Sequence, residues 1–327
     1  MADTIKAEKD PNIFKEIREF LDGLNNSGDK PLETLAPEDA RKVLEDAQKS
    51  VKVDYSGITE EEKTIEQDGL TVKTIIVKPE GTTDKKLPVF IFIHGGGWIL
   101  GDYPTHKRLV RDLVVQSGAA AVFVDYTRSP EAKYPTAINE IYAATKWVSA
   151  HGDEIGVDGK NLAVAGNSVG GNMSAVTCLM AKDKSGPEIK FQLLLWPVTD
   201  ANFERESWKK YAEGRFLTVG MMKWMWDNYL PDVAKRKEYY ASPFQADLEK
   251  LKDLPPALIQ LAENDILFDE GLDYGRKLDE AGVPTTIQTY NGFIHDYGLL
   301  NPLNHIEAVK CSVEQAAQAL KKALFKS

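Results

Sequence analysis

Short, wholly apolar runs alternate with segments of helical spacing along most of the chain. Val89-Phe-Ile-Phe-Ile93 is apolar at every position, which predicts a strand covered on both faces. Ala119-Ala-Ala-Val-Phe-Val-Asp125, Leu162 to Ala165, Phe191 to Leu195 and Ala257 to Ala262 predict further buried strands, with another near 284–290. Between them, helices are predicted near 104–117, from Pro135 to about His151, from Gly171 to Met180, near 269–281, and from about 305 onward. Strand signals begin near Lys63, and Asp68-Gly69 between two β-favouring runs predicts a hairpin. Repeated strand–helix alternation implies an α/β fold with a mostly parallel central sheet flanked by helices.

Two regions depart from that alternation. In residues 10–25, Ile13, Phe14, Ile17, Phe20, Leu21 and Leu24 fall at helical spacing, with Asp10 as the expected cap and Pro11 as the first helical residue. A second helix fits 37–49, with Pro37 near its start and Val43, Leu44 and Ala47 on one side. Both precede any strand, so residues 1–55 read as a helical cap segment. Residues 200–250 are rich in tryptophan, methionine and charge, and read as a helical cap insertion. The core is then residues 56–199 and 251–327. Within the insertion, Met221-Met-Lys-Trp-Met-Trp226 forms either an adaptable apolar lid or a helix packed on the core.

Composition narrows the partners. A formal net charge of −10 argues against a nucleic-acid partner and against binding to anionic membranes. No run of about 18 uninterrupted apolar residues is present, so no membrane insertion is expected. The segment Met1 to Pro11 is charged and lacks the apolar core of a signal peptide, which points to a cytoplasmic location. Cys178 and Cys311 give no metal spacing and no disulfide framework, and both are expected to be buried free thiols. No metal and no cofactor is called for. A homodimer is compatible with the sequence, which does not fix the oligomeric state.

The chemistry centres on Gly166-Asn-Ser-Val-Gly170, between a predicted strand and a predicted helix. G-x-S-x-G in that setting forces the serine into strained backbone angles and exposes its hydroxyl at a helix N-terminus. A serine hydroxyl is a poor nucleophile at neutral pH and needs a histidine to take its proton and an acid to orient that histidine. In this architecture the chain order is serine, acid, histidine. Downstream of Ser168 only His295 and His305 remain. His295, in a loop after the last predicted strand, is the expected base. His305 reads as a cap or surface residue, and His106 and His151 as surface helix residues. Asp265, just past a strand end, is the expected acid. Asp269 reads as a helix N-terminal charge and Glu263 lies close to the strand, while Asp200, after the preceding strand, is the rival acid. His94-Gly-Gly-Gly-Trp98 follows the first long buried strand, and its glycines let backbone amides turn inward. Gly96, Gly97 and Val169 are therefore the expected N–H donors to an oxyanion, with His94 holding the loop. Trp98 and Trp196 each follow a strand end and either line a substrate pocket or simply pack; Met221 and Met225 are further pocket candidates.

Taken together, His94 to Trp98, Asp125-Tyr-Thr-Arg-Ser-Pro-Glu131 with Pro135, Gly166 to Gly171, Asp265-Ile-Leu-Phe-Asp-Glu-Gly271 and His295 resemble the hormone-sensitive-lipase family of carboxylesterases over about residues 89–300. The resemblance implies an α/β-hydrolase fold with a helical cap drawn from the N-terminus and from an insertion before the acid. It also implies cofactor-free hydrolysis of carboxylic esters through an acyl-enzyme, with Ser168, His295 and Asp265 as the triad. Three departures stand out. The family usually has Asp before its serine and Ala after it, where this chain has Asn167 and Val169. The histidine is usually followed by Gly-Phe, here by Asp296-Tyr297, and Asp125-Tyr-Thr-Arg128 replaces the usual Asp-Tyr-Arg-Leu. The expected substrate is a small or medium uncharged ester, with acyl chains of about two to eight carbons in a weakly discriminating apolar pocket. An amidase or arylformamidase would use the same machinery. A ligand-binding receptor on this fold would lack part of the triad, and an interfacial lipase would want a larger exposed apolar lid.

Overall fold

The computed structural model describes residues 5–82 and 85–325; residues 1–4, which the sequence reading assigns to the cap, lie outside them. The strands are β1 (Ile58–Gln67), β2 (Leu70–Pro79), β3 (Leu87–Ile93), β4 (Ala120–Asp125), β5 (Val157–Asn167), β6 (Gln192–Leu195), β7 (Ala257–Asn264) and β8 (Thr285–Ile294). They form one sheet in the order β1-β2-β4-β3-β5-β6-β7-β8. β1 and β2 make the hairpin around Asp68-Gly69, and β2 also runs antiparallel to β4. From β4 onward every neighbouring pair is parallel.

The α-helices, in chain order, are α1 (Lys15–Asn25), α2 (Pro37–Lys49), α3 (Tyr103–Ser117), α4 (Thr136–His151), α5 (Val169–Asp183), α6 (Glu206–Lys210), α7 (Val219–Tyr229), α8 (Leu248–Leu251), α9 (Phe268–Glu280) and α10 (Glu307–Leu324). Phe90 and Phe92 of β3 pack with apolar side chains of α3 and α10, whereas Val89, Ile91 and Ile93 pack with those of α4, α5 and α9. The central strand is therefore apolar on both faces because helices cover both. Each such fully buried side chain contributes about 1.5–3 kcal/mol relative to an exposed one.

Several local expectations are corrected. The first long helix starts at Lys15, later than a start at Pro11. The Asp10 carboxylate is engaged elsewhere: it accepts from Asn12 N and Nδ2, both at 3.0 Å, and pairs with Arg215 at 2.9 Å. Cys178 is buried but Cys311 lies on the exposed side of α10. His106 is fully buried rather than on the surface, because the first turn of α3 faces the loop after β3. His151 is on the surface beside Glu154, and His305 is exposed with its ring against the Pro302 carbonyl.

The two segments outside the alternation touch each other and the core. Arg215 pairs with Asp10, Asn25 Nδ2 donates to Gly214 O at 3.0 Å, and the Phe20 and Phe216 rings lie 6.4 Å apart. Phe14 N donates to Gly292 O at 3.2 Å and its ring packs on Phe293 at 5.4 Å, just upstream of His295. From α2, Gln48 donates to Thr105 O and Leu299 O and accepts from Asn301 N. Arg41 donates to Ile99 O and binds Glu131 with both terminal nitrogens. α7 buries Met222, Met225, Trp226 and Tyr229, a spacing that puts them on one helix face. Among the described residues, no helix is long and apolar enough to cross a membrane.

Candidate active site

Chemistry-bearing residues collect at the C-terminal ends of β3, β5, β7 and β8, where open α/β sheets place their ligands. Ser168 sits between the end of β5 and the start of α5, at φ 54 and ψ −121. A left-handed φ on a non-glycine residue costs free energy and persists only where its surroundings enforce it. Here they do: a Cβ on Gly170 would strike the Ile93 carbonyl, and one on Gly166 would strike the carbonyl of Gly170. Ser168 N is also anchored to Leu195 O at 2.9 Å.

His295 follows β8 directly. Its Nε2 lies 2.9 Å from Ser168 Oγ, and its Nδ1 lies 2.6 Å from Asp265 Oδ2. The other Asp265 oxygen accepts from Leu267 N at 3.0 Å. With the carboxylate accepting at Nδ1, that nitrogen carries the proton and Nε2 is left to accept from the serine. All three side chains are buried. Burial opposes the charged imidazolium, but the Asp265 and Asp296 charges and the Asp265 hydrogen bond outweigh it, so the His295 pKa is raised above its ordinary value.

The other acids have different partners. Asp200 pairs with Arg205 at 3.0 Å and accepts from Gln245 Nε2 at 2.8 Å. Asp269 stands in the first turn of α9 and accepts from Ser207 N, and Glu263 accepts from Gly292 N. Glu270 is fully buried; burial pushes its pKa up to about 8, although Thr199 N and Trp208 Nε1 donate to it.

After β3 the chain turns through Gly96 (φ 100) and Gly97 (φ 62), angles that favour glycine. The amides of Gly96, Gly97 and Val169 have no acceptor among the described residues. Val169 N adjoins the serine as the first amide of α5, where the positive end of the helix lies. His94 stacks on Tyr126 at 4.1 Å, and burial holds its pKa well below the usual histidine value. Asn167, read from the sequence only as a departure before the serine, and His106, expected on the surface, also hold this loop. Gly95 N donates to Asn167 Oδ1 at 3.0 Å and to His106 Nε2 at 3.2 Å. The His106 signal was present in Asp102 and Thr105, whose capping box fixes the first turn of α3.

Trp98 is fully buried, stacked on Tyr229 at 4.1 Å and tilted against Trp226 at 4.7 Å. Its Nε1, that of Trp226 and the Tyr229 hydroxyl have no hydrogen-bond partner among the described residues. Met225 covers Gly97 closely enough that a Cβ there would strike its sulfur, whereas Met221 is only half-buried. Trp196 is not grouped with Trp98. Its ring packs on Tyr297 at 4.4 Å, with the α10 side of the core, and its Nε1 donates to Asp296 Oδ1 at 2.6 Å. A cavity of about 520 Å³ has Tyr134, Met180, Tyr229 and Tyr240 in its wall, and Ser168 is not among the residues lining it. Among the described residues, no group of three or more His, Cys, Asp or Glu side chains comes together that could hold a metal ion.

A strained serine backed by an imidazole and a carboxylate, at the ends of a mostly parallel sheet, is the arrangement of serine hydrolases with the α/β-hydrolase fold. A family model described as alpha/beta hydrolase fold matches residues 90–299, and the chain belongs to this family, with the hormone-sensitive-lipase type of carboxylesterases. Carboxylesterase NlhH of Mycobacterium tuberculosis is 36% identical over 268 residues, covering 81% of this chain and 82% of that protein. A Pseudomonas putida protein named ethyl acetate hydrolase is 28% identical over 272 residues, covering 82% and 85%. The crystal structure of a thermostable esterase from Pseudomonas putida is 59% identical, covers 97% of this chain and 99% of that one, and superposes with a TM-score of 0.96. The protein is a carboxylic ester hydrolase.

Proposed function

We propose that Ser168 attacks the acyl carbon of a small or medium uncharged ester while His295 Nε2 takes its proton. The observation that carries this reading is the unbroken line Ser168 Oγ–His295–Asp265, at 2.9 and 2.6 Å. Asp265 holds the ring and stabilises its charged form. Gly96, Gly97 and Val169 N–H groups receive the oxyanion, the alcohol leaves with the proton from His295, and water attacks the acyl-enzyme by the same route in reverse. Residues 1–55 and 200–250 act together as a cap over this centre, a role supported by their mutual contacts through Asp10, Asn25 and Phe20.

The substrate reading rests on the closeness of the walls. Met225 lies on the oxyanion loop, Trp98 and Tyr229 are stacked behind it, and Ser168 is nearly enclosed. The name of the ethyl acetate hydrolase relative agrees with a short acyl group. A panel of p-nitrophenyl esters should show a broad maximum in kcat/KM at acyl chains of about two to eight carbons, since each methylene changes binding by only about 1–3 kcal/mol. Preference for emulsified long-chain triacylglycerol, or activity on formyl-arylamines and amides alone, would overturn the substrate reading.

The pH dependence has a definite sign. His295 accepts a proton only when neutral, so kcat/KM falls as pH drops through its pKa. Because the Asp265 and Asp296 charges raise that pKa against burial, the half-maximal point of the acid limb should lie above the unperturbed value of about 6.5. A limb centred below that value, in a profile of kcat/KM taken from pH 5 to 9, would contradict the assignment.

A further inference from the structure

One buried carboxylate at this centre belongs neither to the triad nor to the oxyanion donors. Asp296 follows His295, is buried, and is held at φ 56. Its Oδ1 accepts from Trp196 Nε1 at 2.6 Å and from Asn167 Nδ2 at 3.0 Å. Its Oδ2 stands 3.9 Å from His295 Nε2, the nitrogen that faces the serine. Asn167 completes the link, since its Oδ1 accepts from Gly95 N at the start of the oxyanion loop. Trp196 also has a left-handed φ of 36, so strained residues sit at both ends of the 2.6 Å bond.

We propose that Asp296 is a positioning residue for ester hydrolysis, a second carboxylate facing His295 from the edge opposite Asp265, and that position 167 carries an amide because of it. The proposal rests on the reading of His295 as the base. At 3.9 Å the carboxylate is too far to hydrogen-bond Nε2 and so does not compete with Ser168 for it. It acts through its field. When His295 takes the serine proton, the imidazolium lies between two buried carboxylates, and a charge about 4 Å away in such surroundings is weakly screened. The titratable groups acting on the ring are Asp265 and Glu270 from the β7–α9 side and Asp296 on its own loop. His106 of α3 also feels the Asp296 charge, but burial keeps it neutral, its pKa lowered to about 4.

Asn167 must donate to Asp296 and accept from Gly95 N at the same time, and a side-chain amide does both. An aspartate there would set two carboxylates about 3 Å apart, which forces one to hold a proton. The departures at 167 and 296 are then one coupled change: the carboxylate usual before the serine is absent, and one stands after the histidine instead.

The test uses the full chain and a short-chain p-nitrophenyl ester. Asp296→Asn keeps an oxygen for Trp196 and removes the charge; its acid limb in kcat/KM should move down by about half to one pH unit, with kcat at the plateau lower by about 3–30-fold. Asn167→Asp should lose about 10²-fold in kcat/KM at pH 7, and adding Asp296→Gly should recover at least about tenfold of that loss. Asp296 already has a φ that glycine adopts freely, so the second change adds no backbone strain. An unmoved acid limb in Asp296→Asn overturns the proposal, as do losses that simply multiply in the double variant. Should Asn167→Asp give no folded protein by circular dichroism, the Asp296→Asn profile decides alone. Ser168→Ala runs in the same assay: if it stays active the catalytic reading fails, and if it is inactive while the limb is unmoved only the role of Asp296 fails.

Discussion

Ser168→Ala should lower kcat by about 10⁴–10⁶ while leaving the fold intact. The substitution removes one oxygen and keeps the Cβ, so the strained turn at φ 54 is no worse for alanine than for serine. The contacts that hold the turn belong to the backbone: Ser168 N to Leu195 O, and Val198 N to Ser168 O. What goes is the nucleophile that His295 Nε2 faces at 2.9 Å. The amides of Gly96, Gly97 and Val169, proposed above as the oxyanion donors, are untouched by the change, and these with substrate binding should leave the residual rate that such sites retain over water. A fluorophosphonate probe followed by peptide mass spectrometry should modify the wild type at Ser168 and nowhere else. Circular dichroism and thermal unfolding of the variant should match the wild type. Near-normal turnover, or an adduct on another serine, would remove Ser168 from the mechanism.

The parts of the molecule that a sequence pattern reveals are those with local causes. β3 and β4 are visible because five or six consecutive residues are apolar, which only a doubly covered strand requires. The start of α2 at Pro37 and the hairpin at Asp68-Gly69 are likewise set by the preferences of the residues themselves. Ser168, Asp265 and His295 are singled out by chain order and by the scarcity of histidine, and the structure brings them into hydrogen-bond contact. What escapes the pattern is polar and long-range. Asp296 meets Trp196 and Asn167 across 100 and 129 residues of chain, and nothing in their neighbours announces either bond. His106 looks like a surface residue because its helix has charged neighbours, yet the turn faces Gly95. Asp10 carries every local sign of a helix cap and serves instead to tie the N-terminal segment to Arg215, 205 residues away. Local propensity lost there to an ion pair that only the folded chain can offer.

Changing the two candidate acids to asparagine in separate proteins should give opposite signatures. Asp265→Asn should lose about 10³–10⁴ in kcat. Leu267 N already donates to one oxygen of that side chain, so the asparagine would keep its carbonyl there and turn its NH2 toward His295 Nδ1. A donor facing Nδ1 makes that nitrogen the acceptor and moves the ring proton to Nε2. The base then cannot take the serine proton, although every atom stays close to its place. The negative charge that favours the imidazolium is lost as well. Asp200 stands in different company. Its oxygens are held by Arg205 and Gln245, and Arg205 also reaches Asp273. Asp200→Asn should therefore weaken a buried ion pair and show as a lower Tm, with kcat within about tenfold of the wild type. Steady-state kinetics at the plateau pH and a thermal melt of each variant separate the two outcomes. A larger loss of kcat in Asp200→Asn than in Asp265→Asn would transfer the acid's role to Asp200 and the strand end of β6.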